Sequence, residues 1–207
     1  MTQQETGTLY IISAPSGAGK TSLVNALLPR VSNVKLSISH TTRPARAGEV
    51  DGTHYFFVDE AKFEQMVAAQ SFMEYATVFG HHYGTSKAWV AETLAQGSDV
   101  ILEIDWQGAR QCKIAHPESV LIFIFPPSKA VLQTRLEARR LDSPEVIQRR
   151  LKEASQEMSH SHEYDYILIN DDFSAALGEL EAIFIANRLK THVQFAKNGS
   201  ILEEILL

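Results

Sequence analysis

Four stretches of the chain are apolar almost without interruption: Leu9–Ile12, Val100–Leu102 with Ile104, Val120–Phe125, and Tyr166–Ile169. Continuous rather than alternating runs suit strands covered on both faces, and helical periodicity fills the gaps between them, so the pattern predicts a parallel sheet in an α/β layer fold. Val34–Ser39 alternates more and predicts a fifth strand. From about Ser39 to Ala95 the pattern changes, with short strands at His54–Val58 and Phe72–Phe79 around a helix from Asp59 to Ala69. Turns at Ala47-Gly48 and Asp51-Gly52 add to the reading of this segment as an inserted lobe. Pro126-Pro127-Ser128 stops the third run and caps a helix carrying Val131, Leu132 and Leu136 on one side. The loop Leu141-Asp142-Ser143-Pro144 separates it from a basic helix over Glu145 to about Met158. Phe173 to about Lys190 is amphipathic, with Ala176, Leu177, Leu180, Ile183, Phe184 and Leu189 on one face. Ser200-Ile201-Leu202-Glu203 reads as a capping box opening a last short helix, whose apolar side (Ile201, Leu202, Ile205, Leu206) is expected to pack on the protein's own core.

Composition narrows this picture. At 207 residues the chain suits one domain with insertions and is long enough to bury a sizeable core. A net charge of −6 and a pI near 5.7 argue against a protein that coats nucleic acid. The single cysteine, Cys112, excludes an intrachain disulfide and a Cys-rich zinc site. Met1 to Gly7 lacks the basic start and apolar stretch of a signal peptide, and no run is long enough to span a membrane. A soluble, cytoplasmic protein with no nucleic-acid or membrane partner is the expectation. The eight histidines include no pair at a same-face helical spacing that suggests a metal site.

The chemistry begins directly after the first apolar run, at Ala14-Pro15-Ser16-Gly17-Ala18-Gly19-Lys20-Thr21. A strand that stops at small residues and turns into a helix leaves backbone N–H groups aimed at one spot, where the helix dipole also favours negative charge. That spot is a phosphate cradle, with Lys20 as a point charge for the β- and γ-phosphates and the Thr21 hydroxyl as a ligand for Mg²⁺. Ala14 occupies the place where the general motif has its first glycine.

A second signature lies in the inserted lobe and beyond: Ser39-His40-Thr41-Thr42-Arg43-Pro44-Ala45-Arg46-Ala47-Gly48-Glu49, then Tyr55, Glu74, Tyr83-Gly84-Thr85, and Glu103-Ile104-Asp105-Trp106-Gln107-Gly108. With the phosphate loop, this resembles the guanylate kinase family over almost the whole chain. The resemblance implies a P-loop NTPase three-layer fold with a parallel core sheet, an inserted GMP-binding lobe and a helical lid. The 1–207 chain then divides into a core of about 1–38, 96–126 and 155–207, a lobe of about 39–95, and a lid of about 127–154. The implied reaction is ATP + GMP ⇌ ADP + GDP, with dGMP as a further acceptor, Mg²⁺ as cofactor, and a place in purine nucleotide metabolism and GMP recycling.

Residue by residue, the resemblance assigns Arg43, Arg46, Tyr55 and Tyr83 to the GMP phosphate. Guanidinium forks grip a phosphate with paired bonds that lysine does not imitate. Glu74 and Asp105 are assigned to the guanine edge, whose N1–H and N2–H₂ donors suit carboxylates, while adenine would leave them unpaired. Ser39 and Thr85 match positions whose hydroxyls bond the base. Glu103 stands where many relatives have Asp, either holding Mg²⁺ through water or organising the GMP site. The cluster Arg135, Arg139, Arg140, Arg149, Arg150 and Lys152 stands out in an acidic chain. Arg139 and Arg150, with Arg135 third, are assigned to ATP phosphates and to the charge of the transferring group. A solvated helix face paired with Glu137, Glu145 and Glu153 is the alternative. The family's Gly-Arg-Gly is Ala138-Arg139-Arg140 here, which leaves the role of Arg140 open. Asn170 matches a strand-end motif at the nucleotide site, unless Asn170-Asp171-Asp172 merely caps a helix.

No nucleophile and histidine are paired, and none is needed when the attacking group is an already ionised phosphate oxygen. Three other functions compete: a phosphopeptide-binding module that has lost catalysis, a ribose bisphosphate kinase, and a P-loop GTPase. The intact Lys20-Thr21, the Glu74, Asp105 and Ser39 set, and the lack of an Asn-Lys-x-Asp motif argue against them in turn.

Overall fold

The computed structural model describes residues 7–78, 80–138 and 144–206. In chain order the elements begin with β1 (Leu9–Ser13), α1 (Lys20–Leu27), β2 (Val34–Leu36), β3 (His40–Thr41), β4 (Phe56–Phe57) and α2 (Glu60–Ala68). There follow β5 (Phe72–Val78), β6 (His81–Ser86), α3 (Lys87–Ala95), β7 (Asp99–Glu103), α4 (Trp106–Ala115) and β8 (Val120–Phe125). The chain continues through α5 (Lys129–Ala138), α6 (Pro144–Ser159), a 3-10 turn at Ser161–Glu163, β9 (Tyr166–Ile169), α7 (Phe173–Arg188) and α8 (Thr191–Leu206).

The apolar runs form a five-stranded sheet in the order β2-β7-β1-β8-β9, parallel throughout. Strand β1 is central and every residue in it is buried, which is why its sequence does not alternate. On one face Tyr10 and Ile12 meet Leu23, Val24 and Leu27 of α1 and Leu180 and Phe184 of α7. The Tyr10 and Phe184 rings stack at 3.7 Å. On the other face Leu9, Ile11, Val100 and Leu102 meet Val90 of α3 and Ala109 and Cys112 of α4. Each fully buried Leu or Ile contributes roughly 1.5–3 kcal/mol, so these two layers hold the sheet rigid behind whatever its strand ends carry.

A second, four-stranded sheet, β4-β3-β6-β5, lies within residues 40–86. Strands β3 and β6 escaped the sequence reading because His40-Thr41 and His81–Ser86 are polar and carry no apolar run. The strand sought at His54–Val58 shrinks to Phe56–Phe57, and Phe79, at the end of the other, lies outside the described residues. Gly84 is required in β6 because a Cβ there would stand 2.9 Å from the Phe72 ring. Helix α2 begins as expected, with Asp59 accepting from Lys62 N at 2.7 Å. Helices α5 and α6 share a small core of their own, Leu132, Leu136, Ile147 and Ala154.

The last helix corrects the expectation. It is the second of two helical stretches within Thr191–Leu206, divided by a non-helical Asn198, so it opens about where Ser200 was expected to cap it, but none of the described residues of either stretch is buried. Ile201, Ile205 and Leu206 are 55, 74 and 74% exposed. Both faces of the sheet are already covered, by α1 with α7 and by α3 with α4, so no core is left for α8 to join. Among the described residues no helix is long and apolar enough to cross a membrane.

Candidate active site

The loop 14–19 carries the chain from the carboxyl end of β1 into α1. Gly17 and Gly19 have φ of 95° and 94°, a left-handed conformation that favours glycine. Ala14 does not need it: the only described non-glycine residues with positive φ are Asn33 and Gln70, and Ala14 packs on the core beneath the loop. The departure from the general motif therefore costs the loop nothing in geometry. Ala18 N donates to Pro15 O at 3.0 Å, closing the turn, and Leu23 N to Gly19 O at 3.0 Å, opening the helix. Gly19 caps α1 without a side chain, which leaves the first-turn N–H groups to an incoming anion. Lys20 is half-buried and Thr21 and Ser22 are exposed, beside a half-buried Ser16 and a buried Pro15.

Two neighbours hold the loop in place. Asn170, 4% exposed, donates from Nδ2 to Ala18 O at 2.7 Å, and a Cβ on Gly19 would run into the same nitrogen. Asn170 O in turn accepts from Arg135 Nη2 at 3.1 Å. The capping of α7 falls to Asp172, which accepts from Ala175 N at 2.7 Å, so Asn170 is a buttress of the loop rather than a helix cap. From above, Leu132 and Leu136 of α5 lie 3.0 and 3.3 Å from where a Gly17 Cβ would be.

In the inserted lobe, Arg43 is 8% exposed. Its Nη2 donates to Glu49 Oε1 at 2.8 Å and its Nη1 to Pro44 O at 2.8 Å. The guanidinium lies 5.3 Å from the Tyr55 ring centre and 5.9 Å from that of Phe57, and Tyr55 meets Tyr83 edge-on at 6.0 Å. The hydrogen bond from Arg43 holds the Glu49 carboxyl below its usual range. Glu49 Oε2 also accepts from Arg46 N at 2.7 Å, leaving the exposed Arg46 side chain beside the buried one. Glu49 was not assigned a role from sequence, although its place in the Arg43-to-Glu49 turn was the available signal. Burial raises the Tyr55 phenol, and the nearby Tyr83 and the charge of Glu103 add to it. Glu103 lies next to Ile12 of β1 in the parallel register, so the Arg43 group abuts the strand end from which the loop departs.

Glu74, on β5, is 3% exposed. Thr85 Oγ1 donates to its Oε1 at 2.5 Å, and its Oε2 is pressed against Gly108 of α4, where a Cβ would collide with it. Burial first, and then the charge of Asp105, push the carboxyl up to about 7, against the pull of the Thr85 hydrogen bond. The Thr85 hydroxyl has one proton, and it goes to Glu74, so in this structure Thr85 orients the carboxylate. Asp105 caps α4, accepting from Gly108 N at 3.0 Å on Oδ1 and from Gln107 Nε2 at 3.0 Å on Oδ2. Ser39 is half-buried just before β3, and its carbonyl accepts from Phe56 N at 2.9 Å.

Helix α6 joins the two sides. Glu157, to which the sequence reading assigns nothing, is pushed up to about 7 by burial; Lys20 draws it down, and Asp105 and Glu153 raise it. One carboxylate thus senses both the loop lysine and the acid at the head of α4. A cavity of about 170 Å³ lies here, bounded by Val78, Asp105, Trp106, Glu153 and Glu157 among others. A larger one, about 940 Å³, sits at the opposite, amino-terminal end of the central strands near Gly7, Asp99, Ser119 and Arg188 and contains none of these groups. Arg150 is half-buried on α6, and Arg149 lies 3.9 Å from Glu153. Arg139 and Arg140 lie outside the described residues. No group of three or more metal-type side chains is gathered among the described residues. Glu103 Oε1 is buried without a partner.

Comparison with known proteins agrees with this geometry. A family profile described as guanylate kinase matches residues 6–187. The chain is 56% identical to the guanylate kinase of Alkalilimnicola ehrlichii, over 97% of this chain and 98% of that one. It is 60% identical to the guanylate kinase of Hahella chejuensis, over 91% and 90%. The crystal structure of guanylate kinase from Anaplasma phagocytophilum superposes with a TM-score of 0.77 at 33% identity, over 91% of this chain and 89% of that one.

Proposed function

The chain belongs to the guanylate kinase family and transfers a phosphoryl group from ATP to GMP; we propose that it does so by dividing the work between a main-chain site for the donor and a side-chain site for the acceptor. The first-turn N–H groups of α1 and the loop 14–19 receive the ATP phosphates, with Lys20 supplying a fixed charge. Arg43, held by Glu49 and flanked by Tyr55 and Tyr83, grips the GMP phosphate with Arg46. Glu74 and Asp105 accept from guanine N1–H and N2–H₂, and Ser39 completes the edge. The attacking atom is a phosphate oxygen of GMP, already ionised at neutral pH because its second pKa is about 6. Positioning and charge neutralisation therefore carry the reaction, without a general base. Arg139 and Arg150 of the lid, with Arg135, meet the charge that develops on the transferring group.

Mg²⁺ is the cofactor of such reactions. The exposed Thr21 hydroxyl and the unpartnered Glu103 oxygen suit a hard cation that arrives on phosphate oxygens and keeps several waters, and they do not suit one caged by protein alone. When bound, Mg²⁺ neutralises and orients the β- and γ-phosphates. The lobe of about 39–95 and the lid of about 127–154 are the units that close over the core and keep water from the phosphoryl group. The expected setting is the cytoplasm, with dGMP accepted alongside GMP.

The buried Glu74 beside Asp105 carries the assignment of the acceptor. A ribose phosphate or a phosphopeptide has no use for a buried carboxylate with a second, half-buried one beside it. A coupled assay of ADP release with GMP, AMP, UMP and ribose phosphates tests it. Turnover with GMP far above the others is expected, and equal turnover with all of them overturns the base-reading role.

A further inference from the structure

Helix α4 is fastened on two sides. On one, Gln111 makes a pair of bonds with the main chain of Tyr75 in β5, accepting at 3.2 Å and donating at 2.9 Å, and Gly108 backs Glu74. On the other, the Trp106 ring stacks on His160 with centres 3.7 Å apart and planes inclined by 8°. His160 is the residue at which the chain leaves α6. Arg110, one turn further along α4, donates to both oxygens of Glu163, at 2.6 and 2.9 Å. His160 Nδ1 lies 2.9 Å from the same carboxylate, which Arg110 first and His160 second hold down at about 2. The Arg110 guanidinium also lies 4.9 Å from the Trp106 ring centre.

Asp105 and Trp106 are neighbours in sequence, the cap and first residue of α4. The helix that presents the guanine-reading carboxylate therefore also seats the base of the helix that carries Arg150 and Glu157. The lid's apolar contacts, such as those of Leu132 and Leu136 over Gly17, slide more easily. A flat ring stack of Trp106 on His160, closed by a carboxylate that bonds His160 and Arg110, fixes a direction.

We propose that α4 is the common pivot of the GMP lobe and the lid, and that Trp106 and His160 are positioning residues that set lid helix α6 according to what the Asp105 end of α4 holds. The proposal rests on the assignment of Asp105 and Glu74 to GMP. It makes the two substrates thermodynamically linked: GMP strengthens the binding of ATP, and by reciprocity ATP strengthens that of GMP.

The test is calorimetric titration of a non-hydrolysable ATP analogue into the full chain, with and without saturating GMP. In the parent, GMP is expected to tighten the analogue by about fivefold or more, the lower bound of ordinary coupling between sites. His160→Ala is expected to bring that ratio below about two while leaving the affinity for GMP alone within about threefold. His160→Phe, which keeps a ring on Trp106, restores the ratio. Arg110→Met serves as the second break if His160→Ala does not fold. Absence of coupling in the parent, coupling retained in His160→Ala, or loss of GMP binding together with the coupling overturns the proposal. Failure of GMP to bind the parent at all counts first against the assignment of Glu74 and Asp105 and takes the proposal with it.

Discussion

The two ends of the proposed cleft, one for the donor and one for the acceptor, are built from different materials. At the donor end the recognising groups are main-chain N–H groups, held by two glycines at positive φ and by Asn170 and α5 around them. At the acceptor end they are side chains from β5, β6 and the head of α4, with a carboxylate buried where it is hard to ionise. Every nucleotide shares the phosphates that the first end needs, so a site made of backbone suffices there. Only guanine offers adjacent donors to an acceptor pair, so selection falls to the end where desolvation makes an unmatched charge expensive.

The comparison breaks most visibly at Lys20. Lys20→Met is expected to lower kcat about a thousandfold, the scale of one preorganised charge contact. GMP affinity measured without ATP should stay unchanged, as should the melting midpoint. Next comes the cost of the buried carboxyl. Glu74 has a folded-state pKa of about 7 against an ordinary 4.5, so folding is unaffected by it below pH 4.5. Stability is lost as pH rises from there to about 7 and is level above. Glu74→Gln should therefore stabilise the GMP-free protein relative to the parent at pH 8 but not at pH 4.5, by at most about 3 kcal/mol in denaturant titration.

Two glycines sharpen the contrast between the ends. Gly19→Ala meets Asn170 at a φ of +94°, costs about 1–3 kcal/mol of backbone strain, and should raise KM for ATP. Gly108→Ala displaces Glu74 and should raise KM for GMP about tenfold through the lost charge-assisted bond, with KM for ATP unmoved. The smallest effect is expected at Glu49, whose side chain is 18% exposed. Glu49→Gln loosens Arg43 and should raise KM for GMP about fivefold, a salt-bridge effect weakened by solvent.

How much of this the sequence disclosed follows the same division. The loop from Ala14 to Thr21 is contiguous and sits between an apolar strand and a helix, so its geometry could be anticipated down to Gly17 and Gly19. The five core strands were legible: β1, β7 and β8 because burial on both faces writes itself as unbroken apolar runs, β9 as an apolar run at the sheet edge, and β2 by its alternation. The lobe was harder: β3 and β6 are polar, and their pairing is set by partners far along the chain rather than by local pattern. Taken singly, Glu74 is an ordinary strand glutamate in sequence. Its depth comes from Gly108 and Thr85, which only tertiary structure brings to it. The grip of Glu49 on Arg43, the place of Glu157 between Lys20 and Asp105, and the Trp106–His160 stack belong to the same class. The terminal helix failed in the opposite sense, since an apolar periodicity promised a core that the filled layers do not offer.

The central claim is that a buried carboxylate, and not the phosphate grip, decides which base is accepted. Its most direct test is kcat/KM for GMP and for AMP, measured side by side on the parent and on Glu74→Gln, with KM for ATP followed in each. The preference for GMP should fall by about two orders of magnitude, the worth of a charge-assisted bond to a buried group, while KM for ATP stays where it was. Equal losses for GMP and AMP, or a shift in KM for ATP of the same size, would contradict it.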